Sequence, residues 1–333
     1  MTDIPFAHAR DSHRFISVAA LMLIALGCGA AQAADPYPSR PVRLVVAFAP
    51  GGPNDVLARV LAQRLSLDTG SQFVVENKPG AGGIIGTDAV AKAAPDGYTL
   101  LFNSGPFTMS PALQAKMPYD TEGDFTPITR VGQSPMVLQV PPTSPHKTVK
   151  QLVDFARANP GKLTYGSGGI GSTPHLTTEQ FAMVTGIKLL HVPYKGGGQS
   201  IQALMAGEVD ILLDSITSSI GFISSGRVVP LALGRATRMA KFPNIPTFAE
   251  AGVSGFNTIH WVGVVAPRKV PAEVAAKLHA DILKALASED IKTRFADIGA
   301  EPVGDSPEDF RSFMHNEIIG WAKVARAAKM QVQ

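Results

Sequence analysis

The amino-acid sequence predicts an α/β protein of two domains, and three observations support this prediction. Short apolar strands alternate with helical patterns at regular intervals, which is typical of mostly parallel sheets flanked by helices. Glycine-rich turns follow several of these strands, first at Gly51-Gly52 and again at Gly166–Gly171. A chain of 333 residues, of which 45% are hydrophobic, is long enough for about two domains with a sizeable core.

The N-terminal segment has the parts of a secretory signal peptide. Arg10 and Arg14 supply its positive charge, and an apolar stretch covers residues 15–26. Because this stretch is too short to cross a bilayer comfortably, an uncleaved membrane anchor is disfavoured. Ala31-Gln32-Ala33 matches an A-x-A cleavage site, so we expect export and cleavage after Ala33.

Cys28 is the only cysteine of the chain, and it lies within this segment. A lipoprotein anchored through Cys28 is the weaker alternative, since no leucine stands three residues before it. Cleavage after Ala33 leaves a mature chain without cysteine, which excludes disulfides, cysteine nucleophiles and cysteine-ligated metal sites. The net charge of +3 comes without a basic cluster, so no nucleic-acid partner is expected.

The mature chain opens with the first α/β unit. The apolar run 42–48 predicts a strand, and the periodicity after it predicts a helix over residues 56–67. Between them, Gly51 and Gly52 allow the backbone to approach a bound molecule closely, and Pro53 suits a first helical turn. The free N–H groups of such a helix start attract anions, although a simple turn would use the same residues.

Two further strands complete this unit, over residues 73–75 and 98–102. A long glycine-rich turn and a helix over residues 84–94 lie between them. Ser104 follows the later strand within a small polar turn. Since ligands of open α/β sheets bind beyond the carboxyl ends of strands, we expect Ser104 to lie beside the first glycine loop.

The middle of the chain predicts a crossover between domains. Residues 125–131 and 136–140 are expected to be extended segments, and several prolines follow them. We therefore predict a discontinuous first domain of residues 34–137 and 236–333, and a second domain of residues 138–235.

The second α/β unit repeats the arrangement of the first. Strands are predicted over residues 163–165, 188–192 and 209–213, each followed by a helix. The first of them leads into the loop Gly166–His175, and the second leads to Lys195 and three glycines.

The last third of the chain predicts a strand near residues 261–265 and then three helices. These helices are expected to begin at Pro271, at Ser288 and at the capping signature Ser306-Pro307-Glu308-Asp309.

The loop over residues 166–171 is a literal G-x-G-x-x-G between a strand and a helix, as in dinucleotide-binding folds. The carboxylate that should close the next strand is missing, because Val192-Pro193-Tyr194-Lys195 stands there. A nicotinamide cofactor is also not expected in an exported protein. We predict no cofactor, and instead an anion site at this helix start with hydroxyls from Ser172 and Thr173.

A Ser/His hydrolase is the alternative from a different functional class. It would use Ser172 or Ser167 as the nucleophile and His175 as the base. The sequence contains no G-x-S-x-G motif, and serine and histidine at a helix start are also typical of capping. The histidines have no acidic companions at ligand spacing, so no metal site is predicted.

Asp55 and Asp214 each follow the end of a predicted strand. Either could cap a helix, anchor a glycine loop, or accept a hydrogen bond from a hydroxyl or amine of a ligand. Capping is favoured for Asp55. For Asp214, capping and the two functional uses, anchoring a loop or binding a ligand, stay open.

Five segments in one order resemble the Bug family, the TctC-type substrate-binding proteins of tripartite tricarboxylate transporters. They are Pro50–Asp55, Val75–Gly83, Ala94–Leu100, Gly169–Leu176 and Val192–Gly197. The resemblance extends over the mature chain from Tyr37 onward.

This resemblance implies a periplasmic binding protein of type II-like fold, in which two domains close over a ligand in the cleft between them. Each domain would be a mostly parallel sheet flanked by helices. The ligands of the family are mostly small carboxylates, namely di- and tricarboxylates, acidic amino acids, and nicotinate-like or aromatic acids. Such a receptor would be a monomer that delivers a small organic anion to the membrane subunits of the transporter. A sensory role beside a membrane signalling protein is a further alternative.

The resemblance also implies which residues bind the ligand. In the family, main-chain groups and waters near the first glycine pair hold one carboxylate. The matching positions, with the neighbouring Ser104 and Lys195 that the strand ends suggest, give these predicted site residues: Pro50, Gly51, Gly52, Asn54, Asp55, Ser104, Ser167, Gly171, Ser172, Thr173, His175, Lys195 and Asp214.

Overall fold

Strand β1 (Val42–Val46) is largely buried, as expected for a strand inside a parallel set. It lies between β2 (Phe73–Asn77) and β3 (Thr99–Ser104), and both run parallel to it. The computed structural model describes residues 1–3 and 37–327. The apolar stretch of the predicted signal peptide, its cleavage site and Cys28 therefore lie outside the described residues.

Helices connect these three strands. Helix α1 (Pro53–Thr69) has proline in its first turn and ends at Gly70, whose φ of 74° is the left-handed conformation that glycine favours. Helix α2 (Ile84–Ala91) follows a 3₁₀ turn at Ala81–Gly83. A short helix α3 (Gly105–Met109), which the sequence did not predict, begins directly after β3.

Strand β4 (Phe125–Val140) is continuous over 16 residues, whereas the sequence predicted two separate extended segments. Two bulges interrupt its pairing with β9 (Ile259–Pro267), since the register shifts between Pro127 and Thr129 and again between Arg130 and Gly132. Up to Pro135 the strand pairs with β9, and after it the pairing partners change.

The second part of β4 pairs with β7 (Ile211–Ser215) and β8 (Val229–Leu233). Strand β5 (Thr164–Ser167) lies between β7 and β6 (Leu190–Pro193), parallel to both. Helices α4 (Val149–Ala158), α5 (Thr173–Thr185), α6 (Gly197–Ala206) and α7 (Ile216–Ser224) belong to this part of the chain.

The described strands form one sheet in the order β2-β1-β3-β9-β4-β7-β5-β6, and β8 and the short β10 (Glu301–Pro302) also pair with β4. The strands of the two predicted α/β units are parallel to one another. Strands β4 and β9 run antiparallel to their neighbours, so the complete sheet is mixed.

The two largest hydrophobic clusters of described residues belong to different halves of this sheet. One contains residues between Val42 and Val131 together with residues after Val262, and the other contains residues between Met136 and Phe256. The exact domain boundaries at 137 and 236 stay a prediction.

Three helices end the described chain: α8 (Ala272–Ala287), α9 (Glu289–Asp297) and α10 (Pro307–Ala327). Helix α8 places Leu278 and Ile282 in the same core as β1. The predicted cap at Ser288 is confirmed, since its hydroxyl accepts the N–H of Ile291. None of the described helices is long and apolar enough to span a bilayer.

Candidate functional site

A cavity of about 1070 Å³ lies where the carboxyl ends of the parallel strands meet. One wall is formed by the loops after β1 and β2, and the opposite wall by the loops after β5 and β6. Asp214 at the end of β7 and His260 on β9 also line it. This position agrees with the general location of ligand sites in open α/β sheets.

Asp55 holds the loop after β1 in place. Its carboxylate accepts the N–H of Gly51 at 3.0 Å, and it also accepts hydrogen bonds from Arg59 and Asn77. The side chain of Asn77 also donates to the carbonyl of Phe48 at 3.0 Å. Burial alone would raise the pKa of Asp55, but these hydrogen bonds outweigh it and the pKa is lowered. Asp55 therefore anchors the loop and does not line the cavity.

Asn54 and Ser104 connect α1 with β3 at the cavity wall. The side-chain N–H of Asn54 donates to the Ser104 hydroxyl at 2.8 Å. Both residues are buried and line the cavity. The side-chain oxygen of Asn54 has no hydrogen-bond partner among the described residues.

The loop after β2 has an unusual backbone. Gly80, Ala81, Gly82 and Gly83 all have positive φ, between 47° and 137°. A Cβ at Gly83 would lie 3.1 Å from the ring of Phe48, so the loop packs tightly against the loop after β1. The predicted site residues did not include this loop, although its glycines were visible in the sequence.

Hydrogen bonds inside the second glycine-rich loop decide between the alternatives for its serines. The Ser172 hydroxyl donates to the carbonyl of Gly169 at 2.7 Å, and Nδ1 of His175 accepts the N–H of Gly171 at 3.2 Å. The Ser167 hydroxyl lies 2.7 Å from Nε2 of His191. Neither serine is paired with His175, so the structure does not form the Ser/His pair that the alternative hydrolase would need.

Two histidine rings form a stack beside this loop. The centroids of His175 and His191 lie 4.1 Å apart, and Tyr165 stacks on His191 at 4.7 Å. Burial lowers the pKa of His175, and burial together with the neighbouring His175 lowers the pKa of His191 to about 4. Both rings are therefore neutral at pH 7. Because Nδ1 of His175 accepts a hydrogen bond, its proton lies on Nε2, which is then a donor.

The charged groups of the cavity are few. Lys195 is the only lysine or arginine among its described lining residues, and it is exposed. Glu179 accepts a hydrogen bond from the Tyr165 hydroxyl. Asp214 is 3% exposed and accepts hydrogen bonds from the N–H of Ser215 at 2.7 Å and the hydroxyl of Ser218 at 3.0 Å. Burial raises the pKa of Asp214 to about 6, so most of it is ionised at pH 7.

Comparison with known proteins decides the family. A family model described as the tripartite tricarboxylate transporter family receptor, TctC, matches residues 57–330. The chain belongs to the TctC family.

Solved structures of similar proteins share this fold. The periplasmic binding protein BugD is 34% identical, with a TM-score of 0.84 over 89% of this chain and 100% of its own. Rpa4515 of R. palustris, solved with adipate, is 38% identical, with a TM-score of 0.85 and the same coverage. MatC of Rhodopseudomonas palustris, solved with malate, is 32% identical, with a TM-score of 0.81 over 86% of this chain and 99% of its own. The predicted two-domain α/β periplasmic binding fold is confirmed. This TctC-family protein is a binding protein and not an enzyme.

Most of the residues predicted for the site of this TctC-family protein meet at the cavity. The lining includes Pro50, Gly52, Asn54, Ser104, Gly171, Ser172, Thr173, His175, Lys195 and Asp214. Gly51, Asp55 and Ser167 do not line it, and their contacts support the loops instead.

Sequence reasoning missed several lining residues of the receptor. Glu179 lies four residues after His175, a spacing that places both on one face of α5 and was a usable signal. His191 lies in a predicted strand next to the glycine-rich loop. His260 gave no signal, because it stands in an apolar strand remote in sequence from the other site residues.

Proposed function

We propose that this protein is a periplasmic solute receptor that captures a small carboxylate in its cavity and delivers it to a tripartite tricarboxylate-type membrane transporter. The observation that carries the proposal is a set of helix starts around the cavity. The N-cap residues of helices α1, α5 and α6 are Gly52, Ser172 and Gly196, all in the cavity lining, and none of these helices has a side-chain cap.

Uncapped helix starts suit an anionic ligand. The first N–H groups of a helix have no partners within it, and the helix dipole places partial positive charge beside them. Outside the cavity lining, α4 and α9 are capped by the hydroxyls of Thr148 and Ser288, whereas α8 starts after Pro271 without a side-chain cap. Main-chain N–H groups would thus bind a carboxylate without a buried arginine or lysine.

Side chains would complete the anion site. The neutral ring of His175 offers its Nε2–H as a donor, and the hydroxyls of Ser104 and Thr173 lie in the same lining. Lys195 at the exposed rim would attract anions towards the cavity. We assign ligand contacts to the predicted residues that line the cavity, and loop support to Gly51, Asp55 and Ser167.

The likeness to ligand-bound relatives supports a small organic acid. Rpa4515 was solved with adipate and MatC with malate, and both align with most of this chain. We also propose a monomer in the periplasm, released by cleavage after Ala33, with domain boundaries at residues 137 and 236.

Calorimetric titration of the mature protein tests the proposal. The panel pairs carboxylates of two to three acid groups and aromatic acids with their uncharged amides. Specific binding should also raise the melting temperature, and the increase should grow with ligand concentration. The expected result is binding of at least one acid and no binding of its amide. Equal binding of acid and amide, or no binding across the panel, would overturn the proposal.

A further inference from the structure

A group of buried polar side chains forms the floor of the cavity, where β4 changes its pairing partners. His260 on β9 lies opposite Ser134 of β4. The Ser134 hydroxyl lies 2.7 Å from the hydroxyl of Ser215, and Ser215 directly follows Asp214. His260 and Asp214 thus belong to β9 and β7, which pair with consecutive parts of β4, and both line the cavity.

Two polar atoms of the cavity lining, one in the wall and one in the floor, have no partner. The side-chain oxygen of Asn54 and Nε2 of His260 are fully buried and make no hydrogen bond with the described residues. Each of the two side chains is only 5% exposed. Native proteins rarely leave buried polar atoms unsatisfied, and both residues line the cavity, so a bound molecule can supply the missing partners.

Asp214 adds a buried carboxylate without a cation. Its hydrogen bonds come from Ser215 and Ser218 only, and it forms no ion pair with the described residues. A carboxylate can accept about four hydrogen bonds, so capacity is left. A Cβ on Gly197 would lie 3.4 Å from Oδ2 of Asp214, so only a glycine covers this side of the carboxylate.

These groups differ in kind from those of the glycine loops. The loops offer N–H donors, whereas the Asn54 oxygen and Asp214 are acceptors, and the neutral ring of His260 has one acceptor nitrogen beside its one N–H donor. An alkyl chain of the ligand at the floor would leave the acceptors without partners. A second carboxylate there would be repelled by the negative charge of Asp214. A hydroxyl or an ammonium group would satisfy them.

We propose that the floor residues Asp214 and His260, together with Asn54 in the cavity wall, select a carboxylate ligand that carries a hydrogen-bond donor, either a hydroxyl or an ammonium group. This inference rests on the proposed receptor function. It adds that the ligand has two chemically different ends, with the carboxylate at the glycine loops and the donor at the sheet junction.

Matched acids test the inference in calorimetric titrations of the mature protein. The first set is succinate, malate and aspartate, which differ only by hydrogen, hydroxyl or ammonium at one carbon. The same comparison uses glutarate, 2-hydroxyglutarate and glutamate, then adipate, 2-hydroxyadipate and 2-aminoadipate, and finally benzoate with 3-hydroxy- and 3-aminobenzoate. In the set that contains the tightest-binding acid, a donor-bearing acid should bind at least about tenfold more tightly than the unsubstituted acid.

Substitutions test whether Asn54, Asp214 and His260 cause this binding preference. His260→Gln and Asn54→Ser should each reduce the preference at least about threefold, whereas His279→Gln, on α8 outside the cavity lining, should leave it unchanged. Asp214→Asn keeps the shape and removes the charge, so it should weaken an ammonium ligand more than a hydroxyl ligand. Melting curves identify any variant that fails to fold. The binding preference of the remaining variants then tests the inference.

Each outcome has a distinct meaning. If unsubstituted acids bind as tightly as their donor-bearing partners in every set, the inference is overturned while the receptor function stands. Retention of the full preference in His260→Gln, Asn54→Ser and Asp214→Asn would also overturn it. If no acid in any set binds, the proposed function and the inference fail together.

Discussion

The side-chain N–H of Asn54 donates a hydrogen bond to the hydroxyl of Ser104 across 2.8 Å, and both side chains are buried. This contact joins the first turn of α1 to the end of β3, through two residues that are 50 positions apart in the chain. It fixes the amide of Asn54 so that its oxygen is left as the free acceptor in the cavity wall.

We predict that Asn54 and Ser104 are energetically coupled. In a double-mutant cycle with Asn54→Ala and Ser104→Ala, the coupling free energy should be about 0.5–1.5 kcal/mol, because each change alone leaves a buried partner unsatisfied. Urea unfolding of the four proteins measures it. Asn54→Ala combined with Thr148→Ala, which removes the cap of α4, is the control and should be additive within about 0.5 kcal/mol. Additivity of the Asn54–Ser104 pair would contradict the prediction.

The anchoring role of Asp55 predicts a loss of both stability and affinity. Asp55→Asn should lower the free energy of unfolding at pH 7 by about 2 kcal/mol, since it weakens charge-assisted hydrogen bonds from Gly51 and Arg59. The pKa of Asp55 is lowered in the folded protein, so its contribution is full above the ordinary value of 3.8 and is lost as the pH falls below it.

Ligand affinity should also fall in Asp55→Asn, although this residue does not line the cavity. The matched control is Asp154→Asn, which removes an exposed ion pair with Lys150 and should change stability by less than about 0.5 kcal/mol. Equal effects of the two substitutions on stability would show that the loop does not depend on Asp55.

Asp214 is predicted to reduce the stability of the ligand-free protein. Its pKa is raised from 3.8 to about 6, so the folded state holds the proton more tightly and stability is lost as the pH rises between these values. Asp214→Asn should therefore raise the free energy of unfolding at pH 7.5 by up to about 3 kcal/mol, with little gain below pH 4. Denaturant titrations at both pH values measure this. A loss of stability at pH 7.5 would contradict it.

His260 should have the opposite pH dependence. Burial lowers its pKa from 6.5 to about 4, so its neutral ring supports the fold above pH 6.5 and stability is lost as the pH falls towards 4. Replacing it by glutamine should reduce the slope of the unfolding free energy against pH by about 1.4 kcal/mol per pH unit within that window. The variant His146→Gln, at a half-buried loop residue outside the cavity lining, serves as the control and should retain the slope of the parent protein. An unchanged slope in His260→Gln would contradict the assignment.

Gly86 and Gly221 provide a matched test of tight packing behind the cavity. A Cβ at Gly86 in α2 would lie 2.6 Å from the carbonyl of Lys78 and 2.9 Å from the backbone of Ala47, whereas Gly221 in α7 has nothing within 4 Å. Gly86→Ala should destabilise by about 1–3 kcal/mol through overpacking, and Gly221→Ala should stabilise by about 0.5–1 kcal/mol through helix propensity. Thermal unfolding of both variants measures the difference. The same sign of effect in both helices would contradict the packing argument.

Local patterns in the sequence predicted the parts of the site that lie at strand ends. Gly51-Gly52 and the loop after β5 are adjacent in sequence to the helices they start, so the glycines and Pro53 identified both helix N-termini. The cap at Ser288 was equally local. These predictions depend on residues within about one helical turn of each other.

Features that depend on pairing over long sequence distances could not be predicted. The predicted gap in β4 over residues 132–135 contains Pro135, yet the strand continues because β9 and β7 supply partners on either side of that point. His260 reaches the cavity only because β9 inserts between β3 and β4. Nothing near His260 in the sequence distinguishes it from a histidine of the hydrophobic core.

The continuity of β4 has a mechanical consequence. One covalent strand carries the ladder of β9 up to Pro135 and the ladder of β7 from Met136 onward, so the two walls of the cavity share a backbone. A relative movement of the two ladders would therefore have to be accommodated in part within β4, and we expect any bend to fall between Ser134 and Met136, where the pairing partner changes.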